Sequence, residues 1–132
     1  MAAVGSIDTE LFLITWLQQQ LGDGAVVRDE LDNNLENELP TVQVQAVGGT
    51  DDGIRLDRAL VDVDVYHGSR ADAIALAATI RGLLLTDLPG STHTQAVAGR
   101  VATVSSPAVR PYENTSLRRV GATYELNIHP VS

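Results

Sequence analysis

Apolar side chains at Ile7, Leu11, Ile14, Leu17 and Leu21 recur at intervals of three and four, which predicts a first helix over about residues 7 to 21. Ser6 or Asp8 can cap its start, Asp8 and Glu10 suit the positive end of its dipole, and Gly22 with Gly24 supplies a stop. Phe12, Leu13 and Trp16 widen the apolar stripe, and Trp16 reads as a core anchor before an interface anchor. A second helical period, over about Arg70 to Thr86, places Ala73, Leu76, Ala77, Ile80, Leu83 and Leu84 on one stripe, as a helix lying on a sheet requires. Ser69 stands where its N-cap should be.

Between and after the helices the period changes to two. Val42, Val44 and Ala46 alternate with Thr41, Gln43 and Gln45, and in the run from about Ile54 to His67 Ala59, Val61, Val63 and Val65 alternate with Leu60, Asp62, Asp64 and Tyr66. The glycine and aspartate run 48–53 predicts the loop between them. Asp87 to His93, with Pro89-Gly90-Ser91, reads as a connecting loop. Two more strands are predicted, one with Val97, Gly99, Val101 and Thr103 on a face, the other with Val120, Ala122, Tyr124, Leu126 and Ile128. Ser105 to Leu117 is a polar, proline-bearing excursion between them, too long for a tight hairpin. Arg28 to Glu38 is acidic with Leu31, Leu35 and Leu39 spaced by four, either a short amphipathic helix or a loop pinned by its leucines, and Pro40 ends it. The order predicts an α+β fold, a mixed or antiparallel sheet of about four strands with two main helices packed on one face.

A length of 132 residues with no long linker-like stretch fits one domain, 1–132. Apolar residues make up 44% of the chain but aromatics only 4%, so the core has to be aliphatic and thin, and a neighbouring subunit could complete an exposed apolar face. The formal charge of −8 disfavours nucleic acid as the main partner. Residues 1 to 66 carry 13 acids and 3 arginines, net −10, whereas residues 67 to 132 carry 4 acids and 6 arginines, net +2. Such asymmetry suits a head-to-tail contact between copies, or simply a solvated acidic surface. Without cysteine there is no disulfide, thiolate metal site or thiol nucleophile. No signal peptide and no run of about 20 apolar residues is present, so the product is expected in the cytoplasm where it is made, with no membrane partner.

Little in the chain points to chemistry. His67, His93 and His129 lie far apart without zinc spacing. Asp62 and Asp64 share a strand face and could be paired carboxylates, but an acidic face turned to water or a partner is the stronger reading. The 48–53 loop lacks the Gly-Lys-Ser/Thr of a phosphate cradle, and no serine has a nucleophile-elbow context. We therefore expect no enzymatic activity, no catalytic residue, no metal and no cofactor. Features suited to contacts are the Arg110-Pro111-Tyr112-Glu113-Asn114 run and Arg118-Arg119.

Pro40 to Val44 running into Gly48-Gly49, the strand Val61 to Tyr66, the Ala-rich helix Ala71 to Leu85, the segment Pro107 to Asn114 and the closing strand from Arg118-Arg119 to His129 together resemble the tail terminator proteins of long-tailed, non-contractile bacteriophages. The similarity covers about residues 7 to 130 and rests on order and spacing. It implies a virion subunit that forms a homohexameric ring on the head-proximal end of the tail tube. That ring would end polymerisation of the major tail tube protein at the length set by the tape measure protein, present a docking surface to the head connector or stopper, and let DNA pass through its lumen. On that picture the acidic Arg28 to Glu38 element and the Gly48 to Asp57 loop, with Asp51, Asp52 and Asp57, would meet the Arg110 to Arg119 segment of the next subunit, with Arg110, Tyr112, Arg118 and Arg119, and Asp29, Glu30, Asp32, Glu36 and Glu38 would face the lumen. The same resemblance leaves another neck protein, such as a connector adaptor or stopper, as an alternative, and a rival from a different class is a small ligand-binding regulatory domain.

Overall fold

The computed structural model describes residues 8–31, 35–51, 56–93 and 96–130. The first helix, α1, runs over Thr9–Leu21. Its N-cap is Asp8, whose carboxylate accepts from the Leu11 amide at 3.0 Å; the alternative cap Ser6, and Ile7, lie outside the described residues. Gly22, at φ 59°, turns the chain out of the helix. Gln18 then ties the helix end to the strand that follows, donating to the carbonyls of Gly22 and Ala25 and accepting from the Val27 amide. The second helix, α2, spans Arg70–Thr86 as its period predicts, with the Ser69 hydroxyl accepting from the Asp72 amide.

Six strands form one sheet: β1 Val26–Arg28, β2 Thr41–Asp51, β3 Asp57–His67, β4 Thr92–His93, β5 Ala96–Arg110 and β6 Arg118–Pro130, in the order β1-β2-β3-β6-β5-β4. Only β1 and β2 run parallel. The expectation of about four strands falls short by β1 and β4, pieces of three and two residues that are too short to show a period. β4 lies in the segment read as a connecting loop, and its His93 ring sits 5.6 Å from that of Phe12 in α1.

Both helices cover the same face. α1 lies over β1 and β2, and α2 over β3, β6 and β5. Beneath them Val42, Val44, Val61, Val63, Val65, Val120, Ala122, Tyr124, Leu126 and Ile128 meet Phe12, Leu13, Leu17, Ala73, Ala77, Ile80 and Leu84 in one cluster. Each fully buried Leu, Ile or Phe contributes about 1.5–3 kcal/mol relative to exposure. Trp16 is part of this core, at 8% exposure.

Two expectations about β5 are corrected. The polar excursion begins at Pro111 and not at Ser105, because Ser105 to Arg110 continue β5 in register with β6 as far as Arg110 opposite Arg119. Pro107 is tolerated there because, among the described residues, no strand pairs with the far side of this half of β5. A register shift between Ala98 and Val101 also changes the phase, so Ala96, Ala98 and Val101 are buried while Val97 and Thr103 are only half-buried. A second irregularity separates Ala46 from Gly49 in β2, where a Cβ on Gly49 (φ 142°) would run into the Arg58 carbonyl.

In Arg28 to Glu38, left open between helix and loop, residues 32–34 lie outside the described residues, and the described ones fit the loop pinned by its leucines. Arg28 ends β1, Leu35–Asn37 forms a single 3-10 turn, and Leu31, Leu35 and Leu39 pack with Tyr66, Tyr112 and Leu117 in a small second cluster.

Candidate functional site: a buried carboxylate between two arginines

The face of the sheet opposite the helices carries Gln43, Asp62, Asp64, Tyr66, Arg119, Thr123 and Arg110. In the ladder Tyr66 stands opposite Arg119, which stands opposite Arg110, and one row away Asp64 stands opposite Gly121, which stands opposite Ala108. Both arginines therefore lie on the diagonal from Asp64, within reach of its carboxylate. Arg119 spans both carboxylate oxygens, Nε to Oδ1 and Nη2 to Oδ2, each at 3.2 Å, while Arg110 Nη1 reaches Oδ1 at 3.2 Å. Gly121 makes this possible, because a Cβ there would occupy the space of the Asp64 oxygen and the Arg110 guanidinium.

Asp64 is 1% exposed, so the acidic face turned to water or a partner does not hold at this position. It is a buried charge satisfied by two cations, the condition under which burying a carboxylate is tolerable. Asp62 is held separately, accepting from the Thr123 hydroxyl. The hydrogen bonds that Arg119 donates to Asp64, and the carboxylate's charge, push the Arg119 pKa up against the opposing effect of burial. Arg119 also lies 5.9 Å from the centroid of the Tyr66 ring. Tyr66 donates from its hydroxyl to Gln43 Oε1 and takes the Tyr112 ring edge-on at 5.0 Å. Burial is the main reason its phenol pKa rises to about 12.

The structure thus gathers Arg110, Tyr112 and Arg119 at the end of the β5–β6 hairpin. Arg118, exposed beside them, donates to the carbonyls of Thr115 and Leu117. Glu36 folds against the same end of its own chain, accepting from Asn114 at 2.6 Å and Ser116 at 2.9 Å, which hold its pKa below the usual value. Glu38 pairs with Arg28 at 3.0 Å, and Asp29 and Glu30 are exposed in the turn after β1. Asp51 and Asp57 pair in register at the opposite end of the sheet from the arginines. Asp32 and Asp52 lie outside the described residues.

Sequence reasoning missed the roles of Asp64 and Gly121. The alternation placed Asp64 on the polar face, but only the pairing of β3 with β6 and β6 with β5 shows which residues surround it. The histidines do not converge: His67 accepts from the Gly68 amide, while His93 and His129 belong to β4 and β6. Among the described residues no three His, Cys, Asp or Glu side chains form a group that could hold a metal, and no helix is long and apolar enough to cross a membrane.

No protein-family model matches the chain, and no curated protein sequence matches it. Its fold is similar to that of a chain from the virion of a native gene transfer agent particle, with a TM-score of 0.57 over 91% of this chain and 89% of that one, at 16% sequence identity.

Proposed function

We propose that the chain is a structural subunit of a phage-like particle, and that it caps the head-proximal end of the tail tube as a ring. The observation that carries the proposal is the fold shared with a gene transfer agent virion chain across nearly the full length of both. The tube-capping role rests on the order and spacing of the segments that resemble tail terminators, from Pro40 to His129. On this reading the protein binds and does not catalyse. Its partners are further copies of itself, the tail tube protein on one side and a connector or stopper on the other, with DNA only in transit. The hairpin end tied to Asp64 supports a contact role, because side chains already held in place lose less entropy on binding.

The test is to add purified protein to a polymerising tail tube protein from the same genome and image the products by electron microscopy. Capped tubes whose growth stops, with free protein seen as six-fold rings, are expected. Tubes of unchanged length together with binding to isolated portal would assign the chain to the connector adaptors instead.

A further inference from the structure

Two hollows on opposite flanks of the sheet carry opposite charge. On the β1 flank, a cleft between α1 and the end of β1 is lined by Asp8, Glu10, Leu11, Ile14 and Asp29, with Leu11 52% exposed. Arg28 also lines it and is paired with Glu38 at 3.0 Å. On the β5 flank, the hairpin end forms a hollow lined by Val109, Arg110, Tyr112, Leu117, Arg118 and Arg119, with Val109 45% exposed. Of its three guanidiniums, two share the single carboxylate of Asp64 and the third is bonded to carbonyl oxygens, so the hollow keeps a net positive charge. Each hollow therefore offers one exposed aliphatic side chain beside a net charge, three carboxylates against Arg28 in the cleft and three guanidiniums over Asp64 in the hairpin hollow, and the signs are complementary.

We infer that the arginine hollow of one copy receives the α1 cleft of another, Val109 packing on Leu11 while Arg118 and Arg110 face Asp29, Glu10 and Asp8. The contact is heterologous: the two patches lie on different strands of the sheet, so each copy keeps one of each available and copies add head to tail. Charge complementarity selects a second copy as the occupant. Residues 8 to 51 carry nine acids against Arg28, whereas residues 109 to 119 carry Arg110, Arg118 and Arg119 against Glu113, so a single chain holds both partners of the contact. A nucleic acid would meet a chain of net charge −8. The inference deepens the ring proposed above by naming the residues that join its subunits, and it rests on that proposal only for the closure of the ring.

The chain contains no cysteine, so single cysteines report without background. Leu11→Cys and Val109→Cys are made separately and together, checked for an unchanged melting temperature, and treated with a short bismaleimide while light scattering records the mass. Covalent dimers are expected from a mixture of the two single variants and not from either alone, and a ladder of multimers is expected from the double variant. Cross-linking of Val109→Cys with itself would replace the head-to-tail contact by a two-fold one and overturn the inference. An oligomer that does not cross-link would overturn it while leaving the proposed ring intact, and a monomer at every concentration would overturn both. As a second measurement, Arg118→Glu and Asp29→Arg should each weaken self-association about tenfold, with the mixture of the two recovering most of the loss. Equal weakening in the mixture would contradict the pairing.

Discussion

The two faces of the sheet are stabilised in different ways. Under the helices, alternate positions of β2, β3 and β6 are mostly valines, with Ala122, Tyr124, Leu126 and Ile128 completing β6, and their burial is additive and undirected. On the other face one carboxylate, two guanidiniums and one missing side chain have to coincide within a few ångströms. The first face tolerates exchange of one aliphatic residue for another; the second depends on particular atoms at particular ladder positions. A sheet that needed only to fold could present neutral polar residues there. The second face instead fixes the end of the β5–β6 hairpin, the part of the molecule we assign to contacts.

That contrast can be broken from either side. Phe12→Ala, in the fully buried cluster, should cost about 3–5 kcal/mol, read as a lower urea midpoint at unchanged slope. Asp64→Asn leaves two guanidiniums without their carboxylate, and because both arginines are partly exposed the expected loss is about 2–4 kcal/mol. Gly121→Ala forces Asp64 and Arg110 apart and should cost about 1–3 kcal/mol. Both changes act on one network, so their combination should cost less than their sum, whereas Phe12→Ala with Gly121→Ala should be additive. Additivity in the first pair would mean that Gly121 does not serve the Asp64 cluster. Ser69→Ala should cost about 1 kcal/mol through the lost helix cap.

The pH dependence separates the same regions more gently. Burial raises the phenol pKa of Tyr66 and of Tyr124 to about 12, from 10.0. Below pH 10 both are neutral whether the chain is folded or unfolded, and their contribution is fully present. As pH rises from about 10 through about 12 the unfolded chain ionises first, and stability falls. Denaturant midpoints measured across that window should drop, and replacing either tyrosine by Phe should remove part of the slope. Glu36 acts in the opposite direction: its pKa is lowered by Asn114 and Ser116, so its contribution is present above pH 4.5 and is lost on acidification.

How much of this could be read from the sequence follows the same division. α2 and the apolar rows of β2, β3 and β6 were legible because burial of one face imposes a period that elements of 11 or more residues can display. β1 and β4 were not, since two or three residues show no period and their strand character comes from the neighbour they pair with. Serines and Pro107 hid the second half of β5, which is strand because β6 supplies a template. At the candidate site, Arg110, Tyr112 and Arg119 stood out as residue types, while their partner Asp64 lies 46 positions from Arg110 and 55 from Arg119. Acidic and arginine-bearing segments expected to meet between subunits already touch within one chain, at Glu36 with Asn114 and Ser116. No local pattern in the sequence distinguishes a contact made within a chain from one made between copies.

The central claim, that this chain is a structural component of a phage-like particle, is tested most directly by placing it on one. Particles carrying an epitope-tagged copy of the chain, labelled with gold-conjugated antibody and imaged by electron microscopy, should show label at a single site per particle, at the junction of head and tail. Particles that form with normal tails and carry no label, in cells that contain the tagged chain, would contradict the account.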